Sequence, residues 1–230
     1  MERKEFLKKL GMGAVVLPFM AACKKDDTAL NNGSCPITPT ETDGPFPTKS
    51  PSSLAMADIR SDRTGVALTV KLTILNKNKG CAILEGAIVD IWHCDKDGNY
   101  SEYGGTGMQS VNYTAVHFLR GRQTTDVKGQ VGFTTIFPGW YPGRATHIHV
   151  HIYDGSGNSL LVTQIAFPEG ANSGVTLVNN STANGYTKGM SGYTTNTNDN
   201  VFSDSYTYEL ATVAGSVNGY ELQHTIHVNA

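Results

Sequence analysis

Leu68-Thr69-Val70-Lys71-Leu72-Thr73-Ile74 alternates apolar and polar side chains without a break. Successive side chains of an extended chain point to opposite faces, so this heptapeptide reads as a half-buried strand with Thr69, Lys71 and Thr73 in water. Ala87 to His93 is apolar on both faces and reads as a central strand. Further strands are predicted at Val131 to Ile136, Thr146 to Tyr153, Leu160 to Phe167, Tyr206 to Ala214 and Glu221 to Val228, with Asn218-Gly219 turning between the last two. Lys79-Gly80, Asp97-Gly98, Lys128-Gly129 and Asp154-Gly155 punctuate the chain at intervals that suit short antiparallel strands. The expected fold is all-β, an antiparallel β-sandwich with long loops around its site. Residues 171–200, rich in Asn, Thr, Ser and Gly and without an apolar period, are expected to form a long surface loop that shapes a pocket.

Composition sets the outer bounds. The chain has 230 residues, with 18 basic against 20 acidic side chains and a net charge of −2, which excludes nucleic-acid binding through bulk positive charge. At 39% hydrophobic and 17% charged it is neither a disordered chain nor a multi-span membrane protein. The 25 glycines favour turns over helices.

Arg3, Lys4, Lys8 and Lys9 precede an uncharged run from Leu10 to Ala22, which ends at Cys23. That run rises only about 20 Å as a helix, short of a hydrocarbon core of about 30 Å, so residues 1–22 read as a signal peptide rather than a span. Met20-Ala21-Ala22-Cys23 resembles the lipobox of bacterial lipoproteins, and membrane contact is expected only through a lipid on Cys23. Arg3-Lys4-Glu5-Phe6-Leu7-Lys8 resembles a twin-arginine export signal with lysine in place of the second arginine, and ordinary secretion stays open beside it. Residues 23–52, with Pro36, Pro39, Pro45, Pro47 and Pro51, read as a tether and irregular arm, and residues 53–230 as the sandwich domain. Cys81 and Cys94 flank a predicted strand and so stand too far apart to pair, which makes Cys35 with Cys94 the expected disulfide.

His147-Ile148-His149-Val150-His151 places three imidazoles on one face of a strand, with Ile148 and Val150 facing a core. Same-face neighbours lie about 6.5 Å apart at the backbone, so two imidazoles converge easily on one metal ion and three from one strand only under strain. Phe137-Pro138-Gly139-Trp140-Tyr141-Pro142-Gly143-Arg144 presents a tyrosine and an arginine just before this strand, and Trp92-His93-Cys94-Asp95-Lys96-Asp97-Gly98-Asn99-Tyr100 presents a second tyrosine. A phenol titrates near pH 10, so a tyrosinate ligand at neutral pH needs a strongly Lewis-acidic ion, for which ferric iron is the candidate.

Taken together these stretches resemble the intradiol ring-cleavage dioxygenases, the family of catechol and protocatechuate 3,4-dioxygenases. Thr42-Asp43-Gly44-Pro45-Phe46 is similar to the family's N-terminal segment, with aspartate where the family carries glutamate. Asp90-Ile91-Trp92-His93 through Tyr100-Ser101 resembles the turn carrying the first iron tyrosine, and Phe118-Leu119-Arg120-Gly121 through Thr135-Ile136 to Tyr141 the approach to the second. Arg144-Ala145-Thr146-His147-Ile148-His149 and Thr163-Gln164-Ile165 resemble the arginine–histidine segment and the glutamine strand.

The resemblance implies a mononuclear non-haem Fe(III) held by Tyr100, Tyr141, His147 and His149, with His147 and Tyr141 axial and His149 equatorial. It implies that Tyr141 is released when a catechol binds, that Tyr100 stays, and that a catecholic small molecule and O2 are the partners, giving a muconate-type diacid. Arg144 would lie over the ring and stabilise negative charge, and Gln164 would hydrogen-bond near the oxygen side. Only five residues separate Tyr141 from His147 where the cytoplasmic enzymes carry a longer insert, so a pocket wall is missing or supplied from elsewhere. His151 is expected on the strand beyond the site, and His117, His224 and His227 in structural or exposed positions. Two competing readings are a surface-tethered β-sandwich module that binds polyphenols or carbohydrates through Trp92, Trp140 and tyrosines, and a zinc, copper or binuclear site on the histidine strand.

Overall fold

A computed structural model describes residues 35–230; the expected leader, the lipid-bearing Cys23 and the first part of the tether lie outside the described residues. Nine strands form two sheets: β1 (Ala67–Asn76), β2 (Ala82–Ile83), β3 (Ile88–Trp92), β4 (Arg120–Thr124), β5 (Gln130–Ile136), β6 (His147–Tyr153), β7 (Ser159–Ala166), β8 (Thr212–Ser216) and β9 (Gly219–Val228). One sheet runs β2-β1-β9-β8, with β5 also paired to β1, and the other runs β4-β3-β6-β7. The core lies between them. Leu68, Val70, Leu72 and Ile74 of β1, with Leu222 and Ile226 of β9, face Val89 and Ile91 of β3 and Ile148, Val150 and Ile152 of β6, all at or near zero exposure. Each such side chain contributes about 1.5–3 kcal/mol of burial free energy, which fixes the register of β6 and sends its histidines to the opposite face.

The structure departs from the sequence expectations in four places. β1 and β9 pair in parallel, so the first sheet is mixed rather than purely antiparallel. The strand expected from Tyr206 begins only at Thr212, because Leu210 instead forms an isolated bridge to Ala166 on the other sheet. The polar segment Arg120-Gly121-Arg122-Gln123-Thr124 shows no apolar alternation, yet it forms β4 against β3, where Arg122 makes a two-pronged ion pair with Asp90. Within residues 171–200 the chain forms a one-and-a-half-turn helix, α1 (Gly174–Asn179), with Ser173 Oγ accepting from the Thr176 N–H and Val175 and Val178 buried. Six residues are too few to show a helical period.

The disulfide is also corrected: Cys35 pairs with Cys81, their Cα atoms 5.9 Å apart, and Cys94 is a free, buried thiol. Cys81 follows Gly80 in the turn after β1, and both have positive φ. The arm reaches that end of the molecule because it runs beside β9, where the Thr38 N–H donates to the His227 carbonyl. Cys94 packs instead with Phe46, Trp92 and Tyr100.

Candidate active site

His149 sits in the middle of a cross-strand row, with Trp92 of β3 directly opposite on one side and Gln164 of β7 on the other. The Trp92 indole stacks on the His149 imidazole with centroids 4.9 Å apart and planes 2° from parallel, so the ring has a single orientation. His147, two residues earlier on the same face, donates from Nδ1 to the Ala145 carbonyl at 2.6 Å, which leaves the Nε2 lone pair directed into the site.

Tyr100 arrives from the turn after β3. Asp95 Oδ1 accepts the backbone N–H groups of Asp97 and Asn99, closing that turn, and Gln109 clamps the Tyr100 backbone from both ends, accepting its N–H at 2.7 Å and donating to its carbonyl at 2.8 Å. Phe46 stacks on the Tyr100 ring at 4.8 Å. Tyr141 is held by the rigid loop before β6: Gly139 lies against the Lys96 carbonyl where no side chain fits, and Trp140 donates its indole N–H to the Gly189 carbonyl at 2.9 Å.

These four side chains converge. The Tyr100 hydroxyl is 3.1 Å from His147 Nε2, which is itself 3.1 Å from His149 Nε2. Tyr141 presents its ring edge-on to both Tyr100 and His147, at 5.8 and 5.7 Å, and its hydroxyl is buried without a hydrogen-bond partner. Burial drives both imidazoles well below their ordinary pKa, so both are neutral. Burial likewise raises both phenols, more strongly for Tyr100. His147 Nε2 is a lone-pair nitrogen facing His149 Nε2 beside two protonated phenols, and the buried Tyr141 hydroxyl has no partner, an arrangement that the protein alone leaves unsatisfied. A cation bound by both Nε2 atoms and both phenolic oxygens satisfies it, so the donor set fits a metal ion acidic enough to displace phenol protons. Among the described residues no three His, Cys, Asp or Glu side chains converge as a metal cluster, so the zinc or copper reading lacks its usual ligands.

The polar residues around this centre form one network. Arg144 is buried; its Nε donates to both oxygens of Asp199 at 2.9 and 3.0 Å, and Nη2 donates to Gln164 Oε1 at 2.5 Å. The Gln164 amide then donates to the Thr42 carbonyl at 2.9 Å, which ties the arm over the site. Asp199 also accepts the Ala145 and Val201 N–H groups, at 2.6 and 2.8 Å. A cleft of about 380 Å³ opens beside Tyr141 and Arg144, walled by Thr42, Pro45, Met108 and Val201. Asn200, the neighbour of Val201, lines it as well.

His151 lies on the same face of β6 but one step further along the strand, beyond this centre, bonded to Ser159 Oγ at 2.8 Å and stacked on Tyr153 at 4.0 Å. His117 pairs with Glu102 near the surface, and His224 and His227 lie on β9 of the other sheet. Asp199, Gln109 and the buried Arg120, which donates to the Phe46 carbonyl at 2.9 Å, are support residues with no spacing signal in the sequence. Asp199 and Arg120 reach partners 55 and 74 residues away, which only folding brings together, whereas Gln109 ties up its own loop from Tyr100 to Val111.

Residues 46–212 match a family model described as a dioxygenase. A chlorocatechol 1,2-dioxygenase of Rhodococcus opacus is 30% identical over 143 residues, covering 54% of this chain and 51% of its own length, so the chain spans about half of that curated relative. Among solved structures, an intradiol ring-cleavage dioxygenase from Tetranychus urticae superposes with a TM-score of 0.72 at 29% identity, covering 85% of this chain and 95% of that one. A 3-chlorocatechol 1,2-dioxygenase from Rhodococcus opacus shares the fold at a TM-score of 0.55 and 19% identity, covering 88% of this chain and 76% of that one.

Proposed function

This chain belongs to the intradiol ring-cleavage dioxygenase family, and on that premise we propose that it cleaves catecholic rings between their two hydroxyl-bearing carbons, using O2 and a mononuclear Fe(III) held by Tyr100, Tyr141, His147 and His149. The observation that carries the reading is the convergence of two neutral imidazole Nε2 atoms, 3.1 Å apart, with two buried phenols, one without a partner. Bound Fe(III) supplies the Lewis acidity that keeps the phenols ionised and the electron transfer that opens a catecholate to O2. Both oxygen atoms end in the diacid product, so the reaction needs no external reductant.

The two tyrosines have different tasks. Tyr100 is fully buried and its backbone is pinned by Gln109, which suits a ligand that stays. Tyr141 lines the cleft and its hydroxyl has no protein partner, which suits the phenolate that takes a proton from an entering catechol. Arg144 supplies a fixed positive charge beside that position. Asp199 and Gln164 hold its guanidinium before substrate arrives, so little reorganisation accompanies charge development on the ring. Gln164 spends both ends of its amide on Arg144 and the arm, so its role is to position them.

We further propose that the protein works outside the cytoplasm, lipid-anchored through Cys23. The basic-then-apolar leader carries this reading, and the Cys35–Cys81 bond supports it, since such bonds persist in oxidising compartments. The test of the enzymatic reading is the visible spectrum of protein reconstituted with ferric iron, before and after catechol, together with detection of a muconate-type product. A tyrosinate-to-iron band that moves to longer wavelength with catechol is expected. A protein that stays colourless with iron overturns the reading.

A further inference from the structure

We infer that the substrate is a catechol carrying a second, oxygen-bearing aromatic ring on a short linker, and that this second ring occupies a cleft adjoining the one beside Tyr141 and Arg144. The inference deepens the proposed ring cleavage and rests on it. The first cleft has a volume of about 380 Å³, whereas about 150 Å³ already holds benzene. Beside it lies a second cleft of about 480 Å³, formed by the arm and the loop after Tyr100. Pro45 and Met108 line both clefts, so the two meet at their rims. Met108 stands at that junction with 71% of its surface exposed, an apolar, adaptable side chain without a partner.

The second cleft has the chemistry of an aryl site. Phe46 links the two places: its ring stacks on Tyr100 at 4.8 Å and packs edge-on against Tyr103 at 5.2 Å. The second cleft therefore begins one aromatic ring away from the proposed iron tyrosine, which limits the linker to a few atoms. Lys49 Nζ lies 4.5 Å from the centroid of Tyr103 and donates to the Glu102 carbonyl at 2.7 Å. An ammonium has three donors, so Lys49 keeps donors for an oxygen substituent on the ring. The Glu102 carboxylate is already engaged by the Lys49 N–H and by His117. Lys49 is thus the charge offered, and it selects against a cationic substituent.

Gly107 provides the test. A Cβ built there meets nothing within 4 Å, its φ is not in the left-handed region, and it lines only the second cleft, so Gly107→Trp sets an indole at that cleft without straining the backbone. Iron-loaded wild type and variant are compared on catechol and on a catechol joined through two or three atoms to a phenol. Binding of both compounds to the metal-free proteins is measured by calorimetry. Wild type is expected to favour the two-ring compound by about tenfold or more in kcat/KM and in affinity, a preference that Gly107→Trp removes mainly through KM. Equal kcat/KM for the two compounds in wild type, or an equal loss for both in the variant, overturns the inference. If neither compound is cleaved but wild type alone binds the two-ring compound, the second cleft stands and the dioxygenase reading falls. Absence of both cleavage and selective binding overturns both.

Discussion

Gly44 lies directly against the imidazole of His149: a Cβ built on it would stand 3.0 Å from His149 Cε1, and its φ is +68°. Both facts demand glycine, one through contact and the other through backbone conformation. The arm is therefore part of the site, since it holds down the ring of a proposed metal ligand from the side opposite the β6 backbone neighbours that carry it.

Gly44→Ala is expected to cost about 1–2 kcal/mol from the left-handed backbone alone and to push His149 from its place. Thermal unfolding of the metal-free protein reads the first effect. A weakened affinity for ferric iron, followed by titration of the visible band, reads the second; an unchanged iron affinity would show that the arm does not set the position of His149.

Tyr100→Phe and His149→Ala should each remove bound iron and activity together while leaving a soluble fold, because neither side chain belongs to the main core between the sheets. Arg144→Lys should keep the iron band and slow turnover, since lysine carries the charge on a single nitrogen and lacks the planar fork whose Nε and Nη2 reach Asp199 and Gln164. Full activity in either ligand variant sinks the ligand assignment, and unchanged kinetics in the lysine variant excludes the role given to Arg144.

Asp199→Asn leaves the Arg144 charge buried with a weaker partner, and breaking a buried pair typically costs about 3–5 kcal/mol. The same carboxylate accepts the N–H of Ala145, two residues before His147, and that of Val201 in the cleft wall. A lower melting temperature is expected, with kcat reduced more than tenfold by order of magnitude and the iron band retained. Loss of stability with unchanged kcat would reduce Asp199 to a purely structural role.

Acid should destabilise the metal-free protein. His93 is fully buried between the Cys94 carbonyl and Thr135 Oγ1, and burial lowers it from 6.5 to about 4; His224 is lowered to about 4 by the same cause. The unfolded chain binds these protons first, so their stability contribution is full above pH 6.5 and is lost as pH falls toward 4. Glu209, raised by burial from 4.5 to about 8, acts in the opposite direction as pH climbs from 4.5 to 8. With His147 and His149 lowered further still by burial, these imidazoles outweigh Glu209 and the raised Glu41, Asp95 and Glu169 below pH 6.5, so urea midpoints should fall from pH 6.5 to 4.5. A flat profile there would contradict the neutral state of buried His93 and half-buried His224.

Much of this molecule was legible in one dimension. The alternation through Leu68–Ile74 located β1 because burial of one face imposes a period of two. The same parity in His147–Tyr153 put the isoleucines and valine in the core and the histidines on the other face. Turns written as Asp97-Gly98 and Lys128-Gly129 were visible because few residues adopt positive φ as readily as glycine. β4 was not legible, since its pairing rests on an ion pair with Asp90 rather than on apolar alternation. Nor was α1, which is shorter than two turns.

What the chain determined by itself was local: which face of each strand is apolar, where the turns fall, and that two histidines and two tyrosines sit in stretches able to present them to one point. What only tertiary structure decided was every relationship between distant segments. Cys35 chose Cys81 over Cys94 because the arm runs beside β9. Asp199 found Arg144 across 55 residues. Trp92 and Gln164 came to flank His149 through strand register. Local patterns follow from backbone geometry and the water-avoidance of individual side chains, which act along the sequence. The partners of a buried charge, thiol or ring are chosen by close packing in three dimensions, which sequence spacing does not encode.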